Sequence, residues 1–81
     1  MFYVYLLRST QKKWLYIGAT EDLKKRFKKH NQGLVKSTQF YAPFELMYYE
    51  AYPALDFARK REYELKNNNQ QKEMLLKRVG L

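Results

Sequence analysis

The spacing of apolar and polar positions changes several times along the 81 residues, and each change marks an element. Residues 2–8 carry apolar or aromatic side chains at both odd and even positions, as a strand covered on both faces does. Residues 14–18 are expected to form its partner, with the polar residues 9–13 as a hairpin loop. If Leu7 faces Trp14, then Tyr5 faces Tyr16, and two phenols lie side by side on one face of the sheet. A slip of one residue would part them. Two strand tyrosines are ordinary sheet packing, and they are also a pair of phenols that a hydrolytic site could use.

Downstream the period becomes helical. Thr20 is the expected N-cap of a helix running to about Asn31, with Glu21 and Asp22 in a first turn where acids complement the dipole. Gly33 is the expected stop. Residues 34–43 have mixed polarity and read as a loop. Residues 44–50 then alternate, with Phe44, Leu46 and Tyr48 on one side and Glu45, Met47 and Tyr49 on the other, the pattern of a strand with unequal faces. A second helix is expected over 55–66, after Pro53, and the Asn67, Asn68, Asn69 run breaks it and caps a last helix over 70–79. The order β-β-α-β-α-α defines an α+β class, a three-stranded antiparallel sheet flanked by helices, expected as one domain over residues 1–81.

Composition narrows the chemistry. Without cysteine there is no thiolate chemistry and no disulfide, and with His30 as the sole histidine a zinc site is not expected. No apolar stretch approaches the roughly 20 residues that span a bilayer, and residues 1–2 run straight into a strand pattern without a basic leader, so the expected compartment is the cytoplasm. Sixteen Lys and Arg against eight Asp and Glu leave a formal charge of +8. In so short a chain that excess favours a polyanion, and basic residues interleaved with aromatics favour nucleic acid over a membrane surface.

A few side chains could act on a phosphodiester. Arg26 and His30 are four apart, on the helix face that bears Leu23 and Phe27. Lys24, Lys25, Lys28 and Lys29 surround them. These lysines are either a solvated basic face or contacts to a phosphate backbone; Arg26 either pairs with Asp22, worth about 0.2–0.5 kcal/mol, or clamps one phosphate with its planar fork. Glu62 interrupts the apolar stripe of Leu55, Ala58 and Leu65. It either reaches the edge to pair with Lys66 or serves as a metal ligand, since Mg²⁺ is often held by one or two carboxylates with water and phosphate. A tyrosine, ordinarily near pKa 10, becomes a useful base only beside cations or metal-bound water, whereas a histidine titrates close to neutrality without adjustment.

These residues in this order resemble the GIY-YIG nuclease superfamily, in particular its small stand-alone bacterial members. Tyr3-Val4-Tyr5 stands where the GIY element falls, and Tyr16-Ile17-Gly18 is an intact YIG. The segment over 20–31 resembles the helix that carries the family arginine at Arg26 and the histidine or tyrosine position at His30. The segment over 58–66 resembles the helix whose metal-binding glutamate falls on Glu62. Tyr3 replaces the glycine of GIY, Ala19 stands where some members have a lysine, and the late asparagine of several members has no match.

The resemblance implies a fold similar to the N-terminal nuclease domain of the bacterial nucleotide-excision endonuclease. It further implies an endonuclease dependent on Mg²⁺ or Mn²⁺ and acting on DNA, in repair or recombination. Tyr16 or His30 would help activate water, Tyr5 assist by hydrogen bonding, Arg26 stabilise the phosphate and Glu62 hold the metal. The alternatives are a nucleic-acid-binding module of the same fold with little activity, and a subunit whose basic face meets an acidic protein. RNA remains an alternative polymer, because an aromatic such as Tyr41 can stack on unpaired bases.

Overall fold

The computed structural model describes residues 1–81. It comprises β1 (Phe2–Ser9), β2 (Leu15–Thr20), α1 (Leu23–Asn31), a 3-10 turn (Gln39–Tyr41), β3 (Phe44–Tyr52), α2 (Leu55–Asn67) and α3 (Asn69–Arg78). The three antiparallel strands lie in the order β2-β1-β3, so the strand with two apolar faces is the central one. Val4 and Leu6 point into a layer with Ala58, Leu65 and Leu75 of α2 and α3; Tyr5 and Leu7 point the other way, towards Phe44, Leu23 and Phe27. The α+β class and the element order agree with the sequence pattern. No helix is long and apolar enough to cross a membrane.

The hairpin register differs from the expected one. Tyr5 faces Gly18 and Tyr16 faces Leu7, a displacement of two residues. The cause lies in the loop: the Ser9 hydroxyl accepts the N–H groups of Gln11 and Lys12, and the Ser9 N–H closes the turn on the Trp14 carbonyl at 3.0 Å. Trp14 therefore belongs to the loop, and β2 begins at Leu15. Because side chains alternate with a period of two, this shift keeps both phenols on one face. They are diagonal neighbours with ring centroids 6.3 Å apart.

Two other boundaries move for local reasons. Thr20 ends β2, and Asp22 caps α1 by accepting the Lys25 N–H at 3.0 Å, so Asp22 forms no ion pair with Arg26 and neither acid lies inside the first turn. At the other end Gly33 has φ +71°, and the N–H groups of Gly33 and Leu34 return to the carbonyls of His30 and Lys29. In β3 the pairing with β1 slips between Leu6 and Leu7, so Leu46 is opposite Leu7 while Tyr48 is opposite Leu6. The extra residue reverses the alternation. Tyr48 thus joins Met47 in the α2–α3 layer instead of Phe44 and Leu46, and Tyr49 lies on the α1 side against Tyr3.

Candidate active site

The absence of a side chain at Gly18 is what lets Tyr5 reach its partner. A Cβ there would lie 2.5 Å from the Tyr5 hydroxyl oxygen and 2.8 Å from a Tyr16 ring carbon, closer than any real contact. The Tyr5 phenol crosses this gap and lies 2.8 Å from His30 Nε2; His30 Nδ1 lies 2.8 Å from Thr38 Oγ1, which donates to the Val35 carbonyl at 3.4 Å. With the threonine proton directed to that carbonyl, Oγ1 accepts from Nδ1–H, and Nε2 is left to accept the phenol proton. All three side chains are buried, and each polar atom is partnered.

Burial sets the charge states. It lowers His30 to about 4, with the nearby Arg26 guanidinium adding to the effect, so the imidazole is neutral at pH 7. The expected near-neutral titration of His30 is thereby corrected. Burial also raises Tyr5 to about 12; the nearby Arg26 guanidinium opposes the rise, while Tyr16 and Glu62 add to it. Tyr16, in contrast, is half-buried, and is the more accessible phenol of the pair.

Arg26 is half-buried and makes no ion pair. With Lys25 and Lys29, one helical turn apart, it borders a cleft of about 240 Å³ whose other walls are Thr20, Glu21 and Asp22. The four lysines do not act as one set. Lys24 turns to a groove beside Tyr3 and Tyr49, on the opposite flank of α1, and Lys28 lines neither cavity.

Glu62 approaches from the other helical layer, around the edge strand β2. It borders an open groove of about 600 Å³ with Ala19, Arg59 and Lys66, and this groove shares Thr20 and Glu21 with the Arg26 cleft, so the two cavities meet at the end of β2. Ala58 and Leu65 are fully buried as the stripe requires, whereas Leu55 at the start of α2 is exposed. Glu62 Oε2 accepts from Lys66 Nζ at 2.9 Å, the pairing weighed from the sequence, and the same ammonium lies 5.8 Å from the Tyr16 ring centroid. No cluster of three acidic or histidine ligands exists. A hydrated, oxygen-seeking cation held by one carboxylate with water and phosphate fits this donor set; a closed protein cage does not.

One participant, Thr38, carried no signal of its own in the sequence, and a second, Lys66, carried only part of its role. Thr38 sits in a stretch of mixed polarity, and only the fold of residues 34–41 brings it to His30. Lys66 was visible as an i,i+4 partner of Glu62, but its place over Tyr16 depends on how α2 lies along the β2 edge.

Comparison with known proteins identifies the family. Residues 1–75 match the GIY-YIG catalytic domain family. A UPF0213 protein of Staphylococcus saprophyticus is 37% identical over 75 residues, which is 91% of this chain and 90% of the relative. UPF0213 proteins of Staphylococcus aureus show the same identity and coverage. The solution NMR structure of a UPF0213 protein from Bacillus halodurans superposes with a TM-score of 0.58 at 32% identity, covering 99% of this chain and 88% of that one.

Proposed function

Because the chain belongs to the GIY-YIG family, we propose that it is a divalent-metal-dependent endonuclease hydrolysing phosphodiester bonds in DNA. The observation that carries this reading is that the Arg26 cleft and the Glu62 groove meet at Thr20 and Glu21, at the end of β2, while Lys66, paired with Glu62, reaches the Tyr16 ring. Hydrolysis forms a bond from water oxygen to phosphorus and breaks one to a sugar oxygen. A proton must leave the water, and the leaving oxygen must be neutralised.

Arg26 takes the non-bridging oxygens with its planar fork as their charge grows in the transition state. Tyr16, acting as its phenolate, accepts the proton of the attacking water, and solvent supplies the proton to the departing sugar oxygen. Tyr5 stays protonated: its O–H is committed to His30, and its free lone pair accepts a hydrogen bond from the water and orients it. His30 and Thr38 act through Tyr5 as positioning residues. Glu62 would hold the Mg²⁺ or Mn²⁺, which when bound would supply Lewis-acid stabilisation of the growing negative charge. Lys25 and Lys29 contact neighbouring phosphates, with Lys24 and Lys28 extending the basic surface.

The test incubates the purified protein with duplex, nicked, branched and single-stranded DNA in Mg²⁺ or Mn²⁺, beside a Glu62→Ala control. Cleavage by the wild type and its loss in the variant are expected. No cleavage of any substrate, or undiminished cleavage by Glu62→Ala, sinks the proposal. The Glu62–Lys66 ion pair favours a second reading, a binding module in which Lys66 already neutralises the carboxylate. That reading requires binding without cleavage, with log affinity falling by about 0.9 per phosphate contact for each log unit of salt.

A further inference from the structure

The aromatic rings of the α1 face continue past Tyr16 onto the surface. Trp14 stacks beside Tyr16 with centroids 5.9 Å apart, and Tyr41 stacks on Trp14 at 3.8 Å with the planes 12° from parallel. Beyond Tyr41 stands Phe40, 79% exposed. Lys12 Nζ lies 5.4 Å from the Tyr41 centroid and 5.6 Å from that of Phe40, so an exposed ammonium sits against both rings.

The backbone beneath these rings is fixed. The Ser9 hydroxyl donates to the Tyr41 carbonyl at 2.6 Å, and both the N–H and the hydroxyl of Thr10 bond the Pro43 carbonyl, at 3.0 and 3.1 Å. Two loops from different parts of the chain are thus locked together. A further cavity of about 600 Å³ borders Trp14, lined by Arg8, Lys12, Lys13 and Lys72 and by no acidic side chain. Of these four only Arg8 is ion-paired, to Glu45.

We propose that the Phe40–Tyr41–Trp14 shelf, with its lysine-lined flank, binds an unpaired DNA strand leading away from the phosphodiester held at Arg26 and Tyr16. This rests on the nuclease reading and assigns its substrate class: DNA with a single-stranded segment beside the cleavage point. An entering base stacks on the outer Tyr41 face against Phe40, and Lys12 exchanges its ring contacts for a backbone phosphate. A weak exposed cation–π contact is given up for base stacking, a stronger interaction indifferent to base identity. Charge selects the occupant, since the flank is basic and carries no acidic side chain, and the continuity of the rings with Tyr16 gives the direction of the strand.

The test measures binding without added metal, by anisotropy of labelled oligonucleotides at constant salt. Three ligands are used: oligo(dT), a blunt duplex, and an abasic strand of equal charge. Phe40→Ala, at an exposed position outside the site machinery, is expected to weaken oligo(dT) binding about tenfold. Duplex and abasic binding should change less than twofold. Equal weakening of all three, or unchanged oligo(dT) binding, overturns the shelf. Duplex binding and cleavage with no binding of oligo(dT) overturn the shelf alone, whereas failure to bind any DNA overturns the nuclease reading with it. A Phe40→Trp variant, which restores a stacking ring, should recover oligo(dT) affinity; failure to recover counts against stacking.

Discussion

Each face of the sheet carries a tyrosine-containing polar cluster, and the two differ in what they leave free. In the α2–α3 layer Glu50 accepts from Tyr48 and Tyr52 at 2.6 Å and from Arg61 Nε and Nη2 at 2.9 and 3.1 Å, while Arg61 also bonds Glu64 and Gln71. Burial works to raise Glu50, but the Arg61 and tyrosine hydrogen bonds outweigh it and hold the carboxyl below its ordinary range. Every group there is occupied, and the fork of the arginine is filled by carboxylates. On the α1 face the Tyr5–His30–Thr38 chain is neutral and joined by its own hydrogen bonds, yet beside it Arg26 makes no ion pair and Tyr16 is only half-buried. A saturated charge cluster holds layers together, whereas an unpaired cation beside an ordered phenol is prepared for an anion that arrives from outside.

The two arginines break this contrast most sharply. Arg26→Ala should lower the cleavage rate by about 10²–10³-fold, the loss expected for one transition-state donor, with little change in the urea midpoint because no ion pair is lost. Arg61→Ala should do the reverse. Removing one partner of a largely buried pair costs about 3 kcal/mol in urea unfolding, and activity per folded molecule should persist. If Arg26→Ala unfolds the protein while Arg61→Ala abolishes cleavage, the assignment of roles is inverted.

Acid should dismantle the clusters in sequence. His30 is lowered to about 4 in the folded chain from 6.5, so between those values the unfolded chain binds more protons. Its contribution to stability, about 3 kcal/mol, is complete above pH 6.5 and is lost as pH falls towards 4. Glu50, held below its ordinary 4.5, contributes above that value and loses its share only as pH falls further. Urea unfolding across this range should therefore show a first loss that is missing in His30→Gln and a second that remains.

The smallest effect concerns Glu62. Its pair with Lys66 is exposed, with the lysine side chain 44% accessible, and such helix pairs are worth about 0.3–0.5 kcal/mol. Lys66→Gln should therefore tighten Mn²⁺ binding only about twofold by calorimetry. Weaker binding in that variant would show that Lys66 supports the metal site instead of competing for it.

Much of this was legible along the chain because it depends on local periodicity. The double-sided apolar run of residues 2–8 identified the central strand, Gly33 marked a helix stop, and the Leu55, Ala58, Glu62, Leu65 spacing set a carboxylate in an apolar stripe. The pattern misled where a polar side chain or a bulge overrode the period. Asp22 took the cap from Thr20, the Ser9 hydroxyl moved the register by two, and the bulge at Met47 exchanged the faces of β3.

By itself, then, the sequence determined the element order, the face shared by Tyr5 and Tyr16, and the presence of Arg26, His30 and Glu62 within one module, because spacing along a helix or strand dictates which side chains share a surface. Only the tertiary structure decided that Tyr5 passes over Gly18 to a neutral His30 braced by Thr38, that Lys66 joins Glu62 to Tyr16 around the sheet edge, and that Arg26 stays without a partner. These contacts join residues far apart in the chain, and their burial and charge state exist only once the layers have packed.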